Sequence, residues 1–277
     1  MARRRRKRND NSGWRIASWI LGSFMVVAII GGIIFIASNR PIALNPITGC
    51  PIDSSLIAKN ISIIFDTTER LIPSQREEVK NRIGREMETL KENTKVTFYR
   101  VESNQSSGIQ QVTFTPQNTQ LEINEFCRGP SPWGASPNQE ALARQLPGLF
   151  GDAFIGIVGN SPQSFSPLID ALRYVAATLT NNSPENKVIV ISDLIENSQV
   201  LTMYDRNWLN LYNDNKNQVL RQRPIYPSNT DIEVYLLNRP QYSIQDQEFL
   251  EFWFEVLAGD GTVNIDFKNI SGGLGGV

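Results

Sequence analysis

The chain has 277 residues, 40% of them apolar and 20% charged, an ordinary globular balance. It contains no histidine, which excludes Ser-His-Asp and Cys-His catalysis and removes the commonest zinc ligand; the two cysteines, Cys50 and Cys127, cannot complete a tetrahedral zinc site by themselves. The net charge of −1 conceals an asymmetry, because from residue 41 onward 19 basic side chains stand against 27 acidic ones, a balance that argues against nucleic acid as a partner.

The basic excess lies at the start. Arg3, Arg4, Arg5, Arg6, Lys7 and Arg8 precede a run of 24 uncharged residues between Arg15 and Arg40. About 20 apolar residues suffice to cross a bilayer as a helix. Trp14 and Trp19 stand near the beginning of the run, where aromatic rings favour the membrane interface, and Ser38-Asn39-Arg40-Pro41 makes a polar exit. The positive-inside rule then reads residues 1–13 as a basic cytoplasmic tail, 14–39 as a transmembrane signal anchor, and the remainder as extracytoplasmic, periplasmic or extracellular. A cleaved signal peptide is the rival reading. Its apolar core runs about 7–15 residues before a small-x-small cut; this stretch is longer, and Ile36-Ala37-Ser38 fits that rule poorly.

Residues 40–58 carry Pro41, Pro46, Gly49 and Pro51 without periodicity and read as a tether. Ile61-Ser62-Ile63-Ile64-Phe65 reads as a buried parallel strand, broken off by Asp66-Thr67-Thr68-Glu69-Arg70. Ser74-Gln75-Arg76-Glu77 fits a capping box, and Val79, Ile83, Met87 and Leu90 fall on one face of the helix that follows. A strand is expected from Lys95 to Val101, and Leu121 to Cys127 alternates like a half-exposed edge strand. Residues 128–137 are a loop, after which Asn138 opens a helical stretch interrupted at Pro147 and Gly148.

Pro167 starts a helix with Leu168, Ile169, Leu172, Val175, Ala176 and Leu179 on one side. A second buried strand, 187–191, ends in Ser192-Asp193. Residues 200–230, rich in Asn, Arg and Tyr, read as an irregular insertion around a short helix. A third apolar strand spans Asp231 to Leu237, Ser243-Ile244-Gln245-Asp246 caps a last helix, Val263 to Ile270 is a final strand, and 271–277 is a flexible tail. Strands alternating with amphipathic helices give the fold class: α/β, a doubly wound, mostly parallel sheet with helices on both faces over residues 59–270, plus the transmembrane helix. Ligands of such sheets sit beyond the carboxyl ends of the strands, where Asp66 and Asp193 would be neighbours.

Asp66-x-Thr68, Ser166-Pro167-Leu168-Ile169-Asp170-Ala171-Leu172 and Val190-Ile191-Ser192-Asp193 together resemble the von Willebrand factor A (VWA) domain, in order and spacing over roughly residues 58–270. The resemblance implies a metal-ion-dependent adhesion site, here degenerate, with Mg²⁺ as cofactor. Asp66 and Thr68 stand at the first two ligands of the family's Asp-x-Ser-x-Ser, Ser166 at the second-loop threonine, and Asp193 at the third-loop aspartate. The pattern departs at Arg70, where the family has a second serine; a guanidinium cannot coordinate a cation and repels one held nearby. Either Arg70 turns away and Glu69 or water fills the gap, or Arg70 pairs with Asp66 or Asp193 and an ion pair replaces the metal. Plainer roles exist for two of these residues, Ser166 as a helix N-cap and Ser192-Asp193 as a strand stop.

In the resembled fold the edge strand carrying Cys127 runs antiparallel, which brings its carboxyl end to the side where Cys50 precedes the first strand. Outside the cytoplasm such a pair is expected to be a disulfide, with two separate thiols as the alternative.

The resemblance implies a non-enzymatic, membrane-anchored recognition or scaffolding module that holds a protein partner at the carboxyl edge of the sheet, the partner's acid completing a Mg²⁺ shell. One alternative is a haloacid-dehalogenase-like, Mg²⁺-dependent phosphohydrolase with Asp66 as nucleophile. Thr68 stands where such enzymes carry a second aspartate, and neither a Walker A motif nor a strand-linked G-x-G-x-x-G occurs. A structural envelope protein with an inactive site is the other alternative.

Overall fold

Side-chain alternation decides the layers of this protein. In β1, Lys59–Phe65, the side chains of Ile61, Ile63 and Phe65 enter one hydrophobic layer and Ile64 the other. β5, Glu185–Ser192, divides in the same way, Ile189 and Ile191 against Val188 and Val190. Strands apolar on both faces require cover on both sides, which is the condition of a parallel sheet.

The computed structural model describes residues 19, 23, 25–34, 43–45, 48–68, 70–101, 109–111, 125–128, 165–179, 185–239, 244–259 and 263–270. They belong to two units, Met1–Ile42 and Ala43–Val277. In the larger unit the remaining strands are β2 (Thr94–Val101), β3 (Ile109–Gln111), β4 (Glu125–Cys127), β6 (Thr230–Leu237) and β7 (Asn264–Ile270). The sheet runs β3-β2-β1-β5-β6-β7, with β4 also on β2. All pairings from β2 to β7 are parallel, whereas β3 and β4 run antiparallel along the outer edge of β2. At the opposite end β7 pairs with β6 alone among the described residues, and Asn264, Asp266 and Asn269 lie exposed along it.

Four described helices complete this unit: α1 (Pro73–Glu88), α2 (Leu168–Thr178), α3 (Trp208–Gln222) and α4 (Gln247–Ala258). Helix α1 lays Val79, Ile83 and Met87 on the layer of Ile63, Phe65 and Phe98. Helices α2, α3 and α4 cover the other face, where Leu172, Trp208, Phe249, Phe252 and Trp253 meet Ile64, Val190 and Val234. Each such side chain, fully buried, contributes roughly 1.5–3 kcal/mol of transfer free energy. The chain leaves β1 toward β2 by way of α1 and leaves β5 toward β6 by way of α3, on the opposite face. The winding therefore reverses between β1 and β5, which opens a crevice at their carboxyl ends.

The expected doubly wound, mostly parallel sheet is thus observed, with several local corrections. Helix α1 starts at Pro73, one residue before the expected capping box, and Gln75 rather than Glu77 reaches back, its Oε1 accepting from Ile72 N at 3.4 Å. Gln75 Nε2 also donates to the carbonyls of Asn238 (3.0 Å) and Ile270 (3.3 Å), which ties α1 to the ends of β6 and β7. The 200–230 stretch is not an irregular insertion around a short helix; α3 has 15 residues and buries Trp208, Tyr212 and Val219. At the last helix Asp246 is the N-cap, accepting from Phe249 N at 2.9 Å. β3 has no counterpart in the sequence reading. The expected helix after Asn138, the 129–137 loop, the start of the 121–127 strand and the 271–277 tail lie outside the described residues.

Residues expected as a tether are held against the sheet. Leu44 bridges Pro51, Ser54–Leu56 form a 3₁₀ turn, and Cys127 N donates to Thr48 O at 2.8 Å. Cys50 and Cys127 form a disulfide, across 77 positions, with Cα atoms 4.6 Å apart. It joins the segment before β1 to the antiparallel strand β4, as the resemblance implied.

In the smaller unit residues 25–34 are helical, with Met25, Val27, Ile33 and Ile34 largely exposed. Ser23 Oγ donates to Trp19 O at 2.9 Å. No helix among the described residues is long and apolar enough to cross a membrane. Most of the remaining residues of the expected 14–39 span lie outside them.

Candidate functional site

Parallel pairing of β1 with β5 in the register Phe65↔Ile191 places Asp66 beside Ser192, at the reversal of winding. Asp66 N donates to Ile191 O at 2.9 Å, extending the ladder by one rung. The Asp66 carboxylate is enclosed by hydroxyls. Its Oδ1 accepts from Thr68 N (3.0 Å) and Thr68 Oγ (2.6 Å), and its Oδ2 accepts from Ser192 Oγ (2.7 Å) and, more weakly, from Ser166 Oγ (3.5 Å). The Ser192 hydroxyl in turn accepts from Leu194 N at 2.7 Å, supporting a left-handed turn at Leu194 (φ 59°).

Asp193, the next residue, points its carboxylate to a different partner. Its Oδ1 accepts from Ile195 N at 3.0 Å and its Oδ2 lies 3.1 Å from Arg239 Nε. Arg239 follows the end of β6, and its Nη1 donates to the carbonyl of Arg70 at 2.9 Å. Gln245, just ahead of α4, accepts from Arg239 N at 2.7 Å and donates to Asp193 O (2.9 Å) and Leu237 O (3.0 Å). Asp66, Asp193 and Arg239 are only 6%, 2% and 5% exposed. Burial and the charge of Asp66 push the Asp193 carboxyl up to about 7, against the opposing pull of Arg239 and the Ile195 amide.

The structure thus brings three of the four expected ligands, Asp66, Thr68 and Ser166, into contact; Asp193 lies on the same rim with its carboxylate on Arg239. Of the plainer roles the strand stop holds, since Ser192 Oγ and Asp193 Oδ1 each accept from the amide two residues on, and the N-cap does not. Ser166 is not the N-cap of α2; Pro167 holds that position, and the helix amide Ile169 N is met instead by Glu196 Oε2 at 3.1 Å. The loops that carry the two are locked together, Ser166 and Asn197 exchanging backbone hydrogen bonds of 2.9 and 3.0 Å. Glu196 is buried, its Oε1 has no hydrogen-bond partner, and burial pushes its carboxyl up to about 8.

Arg70 does not make the ion pair considered for it. Its side chain is exposed and it serves the site through its carbonyl, while Arg239 supplies the guanidinium. Glu69 lies outside the described residues. Arg239, Gln245 and Glu196 were not expected. The signal for Arg239 was present, since Asn238-Arg239-Pro240 ends a third parallel strand on the rim that holds the two acids.

As the side chains stand, the set does not fit a divalent ion. Three donors converge, but Asp193 Oδ2 faces Arg239, whose Nη2 is buried without a hydrogen-bond partner among the described residues, as is Thr67 Oγ. A guanidinium and a divalent ion about 4 Å apart repel by about 8 kcal/mol at an effective dielectric of about 20. Among the described residues no group of three or more His, Cys, Asp or Glu side chains is placed to hold a metal ion.

No protein-family model matches the sequence, and no curated protein matches it. Among solved structures the chain is similar to the human COPII-coat protein Sec24c, at 10% sequence identity and a TM-score of 0.38, over 82% of this chain and 31% of that one. The chain therefore spans about a third of the length of that protein, and a likeness of this degree carries no functional argument.

Proposed function

We propose that this chain is a VWA-like recognition or scaffolding module, anchored in a membrane through residues 14–39, that holds a protein partner at the carboxyl edge of its sheet outside the cytoplasm. The observation that carries this reading is the convergence of Thr68, Ser166 and Ser192 on the Asp66 carboxylate, beside Asp193 at the end of the neighbouring strand, at the point where the winding reverses. Polar groups buried at that point, in excess of what the strands need to terminate, favour a binding role over a structural one. The apolar, exposed side chains of the 25–34 helix support the membrane part. Mg²⁺ enters this reading only where Arg239 leaves Asp193.

The enzymatic alternative needs a Mg²⁺ beside Asp66, and among the described residues no group of three or more acids is placed to hold one, so nothing favours that alternative over recognition.

Affinity capture from detergent-solubilised membranes tests the proposal, with the wild type compared against Thr68→Ala and Ser166→Ala. Loss of a captured protein at unchanged melting temperature supports recognition at this rim. Equal capture by all three moves the partner surface elsewhere, and turnover of a phosphate ester that Asp66→Asn abolishes replaces the reading with the enzymatic one.

A further inference from the structure

We propose that Arg239 is the resident cation of this site, standing in for a divalent metal, and that the same donor set becomes a metal site when Arg239 is removed. This rests on the rim proposed above for recognition, though on no partner bound there.

The chemistry of the rim is that of two acids needing positive charge. Asp66 and Asp193 end adjacent parallel strands and are both almost fully buried. Carboxylates so placed must be paired, protonated or bound to metal. Asp66 is satisfied by three hydroxyls and an amide, none of which carries charge. The only cationic group within reach among the described residues is Arg239, 3.1 Å from Asp193.

Arg239 is also built in rather than incidental. Its Nε is on Asp193, its Nη1 on the Arg70 carbonyl, and its backbone amide on Gln245, whose own amide nitrogen holds Asp193 O and Leu237 O. The guanidinium thus bridges the loops after β1, β5 and β6. Its Nη2, buried without a partner, remains beside these groups. A bound metal joins loops in the same sense, by accepting oxygens from several of them, but a guanidinium does so at fixed charge and without exchange with solvent. With Arg239 present a divalent ion would meet like charge at the carboxylate that the guanidinium already holds. Without Arg239 a divalent ion balances the acids, and Thr68 and Ser166 supply neutral oxygens of the kind that Mg²⁺ and Mn²⁺ accept.

The test titrates Mg²⁺ and Mn²⁺ into the full chain in detergent, by calorimetry and by the electron paramagnetic resonance of Mn²⁺. The wild type is expected to show no saturable binding and no change in melting temperature with either ion or with a chelator. Arg239→Gln is expected to melt lower, to bind Mn²⁺ saturably, and to regain melting temperature when the ion is added. Asp66→Asn in the Arg239→Gln background is expected to abolish that binding. Arg239→Met serves as a second variant if the glutamine does not fold. Saturable Mn²⁺ binding by the wild type that Asp66→Asn removes overturns the proposal, as does a folded Arg239 variant that binds no metal. If neither variant folds, the wild-type Mn²⁺ titration decides alone, its absence of binding supporting the proposal. None of these readouts involves a partner, so failure here leaves the recognition reading standing, and the reverse holds too.

Discussion

Arg239 Nε and Asp193 Oδ2 lie 3.1 Å apart, although 46 positions separate the two residues in the chain. Their pairing fixes what the carboxyl rim of the sheet is chemically, because it assigns the one guanidinium found there among the described residues to one of two buried acids and leaves the other to hydroxyls. Breaking a buried pair by removing one partner costs about 3–5 kcal/mol, since the other charge stays behind in a medium that solvates it poorly. Arg239→Met and Asp193→Leu are each expected to lose about that much. The double variant should lose less than the sum of the two, and urea unfolding of the four proteins measures the difference.

Glu196 gives a pH dependence with a definite sign. Buried against the first turn of α2, near Asp170, it has its carboxyl raised from an ordinary 4.5 to about 8 by burial. A group whose folded value lies above its unfolded one stabilises fully below the unfolded value, and that stability is lost as pH rises to the folded value. The window is therefore about pH 4.5 to 8, with a slope of up to about 1.4 kcal/mol per pH unit. Asp193 contributes in the same direction up to about 7. Glu196→Gln keeps an oxygen for Ile169 N and should flatten the profile by the Glu196 share. Parallel stability profiles for wild type and variant would contradict this.

The disulfide is expected to be a large single contribution to stability. Cys50 and Cys127 close a loop across 77 positions, for which the chain-entropy treatment gives about 4 kcal/mol. Replacing both cysteines by serine should lower the denaturant midpoint and raise its slope, because the unlinked unfolded chain exposes more surface. A fully reduced wild type should behave like that variant.

Gln75 holds the far ends of three elements. Its amide nitrogen meets the carbonyls of Asn238 and Ile270, and its oxygen meets Ile72 N. Gln75→Leu keeps much of the volume and removes all three bonds, at an expected cost of about 1–3 kcal/mol for the groups left unpaired. Hydrogen exchange should accelerate at the carboxyl ends of β6 and β7 and not at β1.

What could be read in advance was whatever depends on local pattern. The apolar runs of β1 and β5 identified themselves, and their polar ends, Asp66 and Ser192-Asp193, followed once the strands were taken as parallel neighbours. Helix α4 declared itself by the spacing of Phe249, Phe252, Trp253, Val256 and Leu257. Helix α3 did not, because Asn210, Asn213, Asn215 and Asn217 are weak helix formers and dilute the stripe made by Trp208, Tyr212 and Val219. The burial of Trp208 and Tyr212 against Phe252 overrides that propensity. Arg239 and Glu196 escaped for a different reason. Each acts on a partner from another element, and no periodicity within its own segment marks it. Arg70 drew attention because it interrupts a motif, yet a position beside the acids in sequence was less informative than one beside them on the rim.

The two sides of the sheet differ among the described residues. On one side β3 and β4 lie along β2, and the disulfide rivets that border to the segment before β1. On the other, β7 presents Asp266 and Lys268, an ion pair at 3.5 Å, along an otherwise polar margin. Charges on a border strand discourage a neighbouring molecule from docking its own strand there. Sideways growth of this sheet into dimers or fibres is therefore disfavoured at the β7 margin by electrostatics.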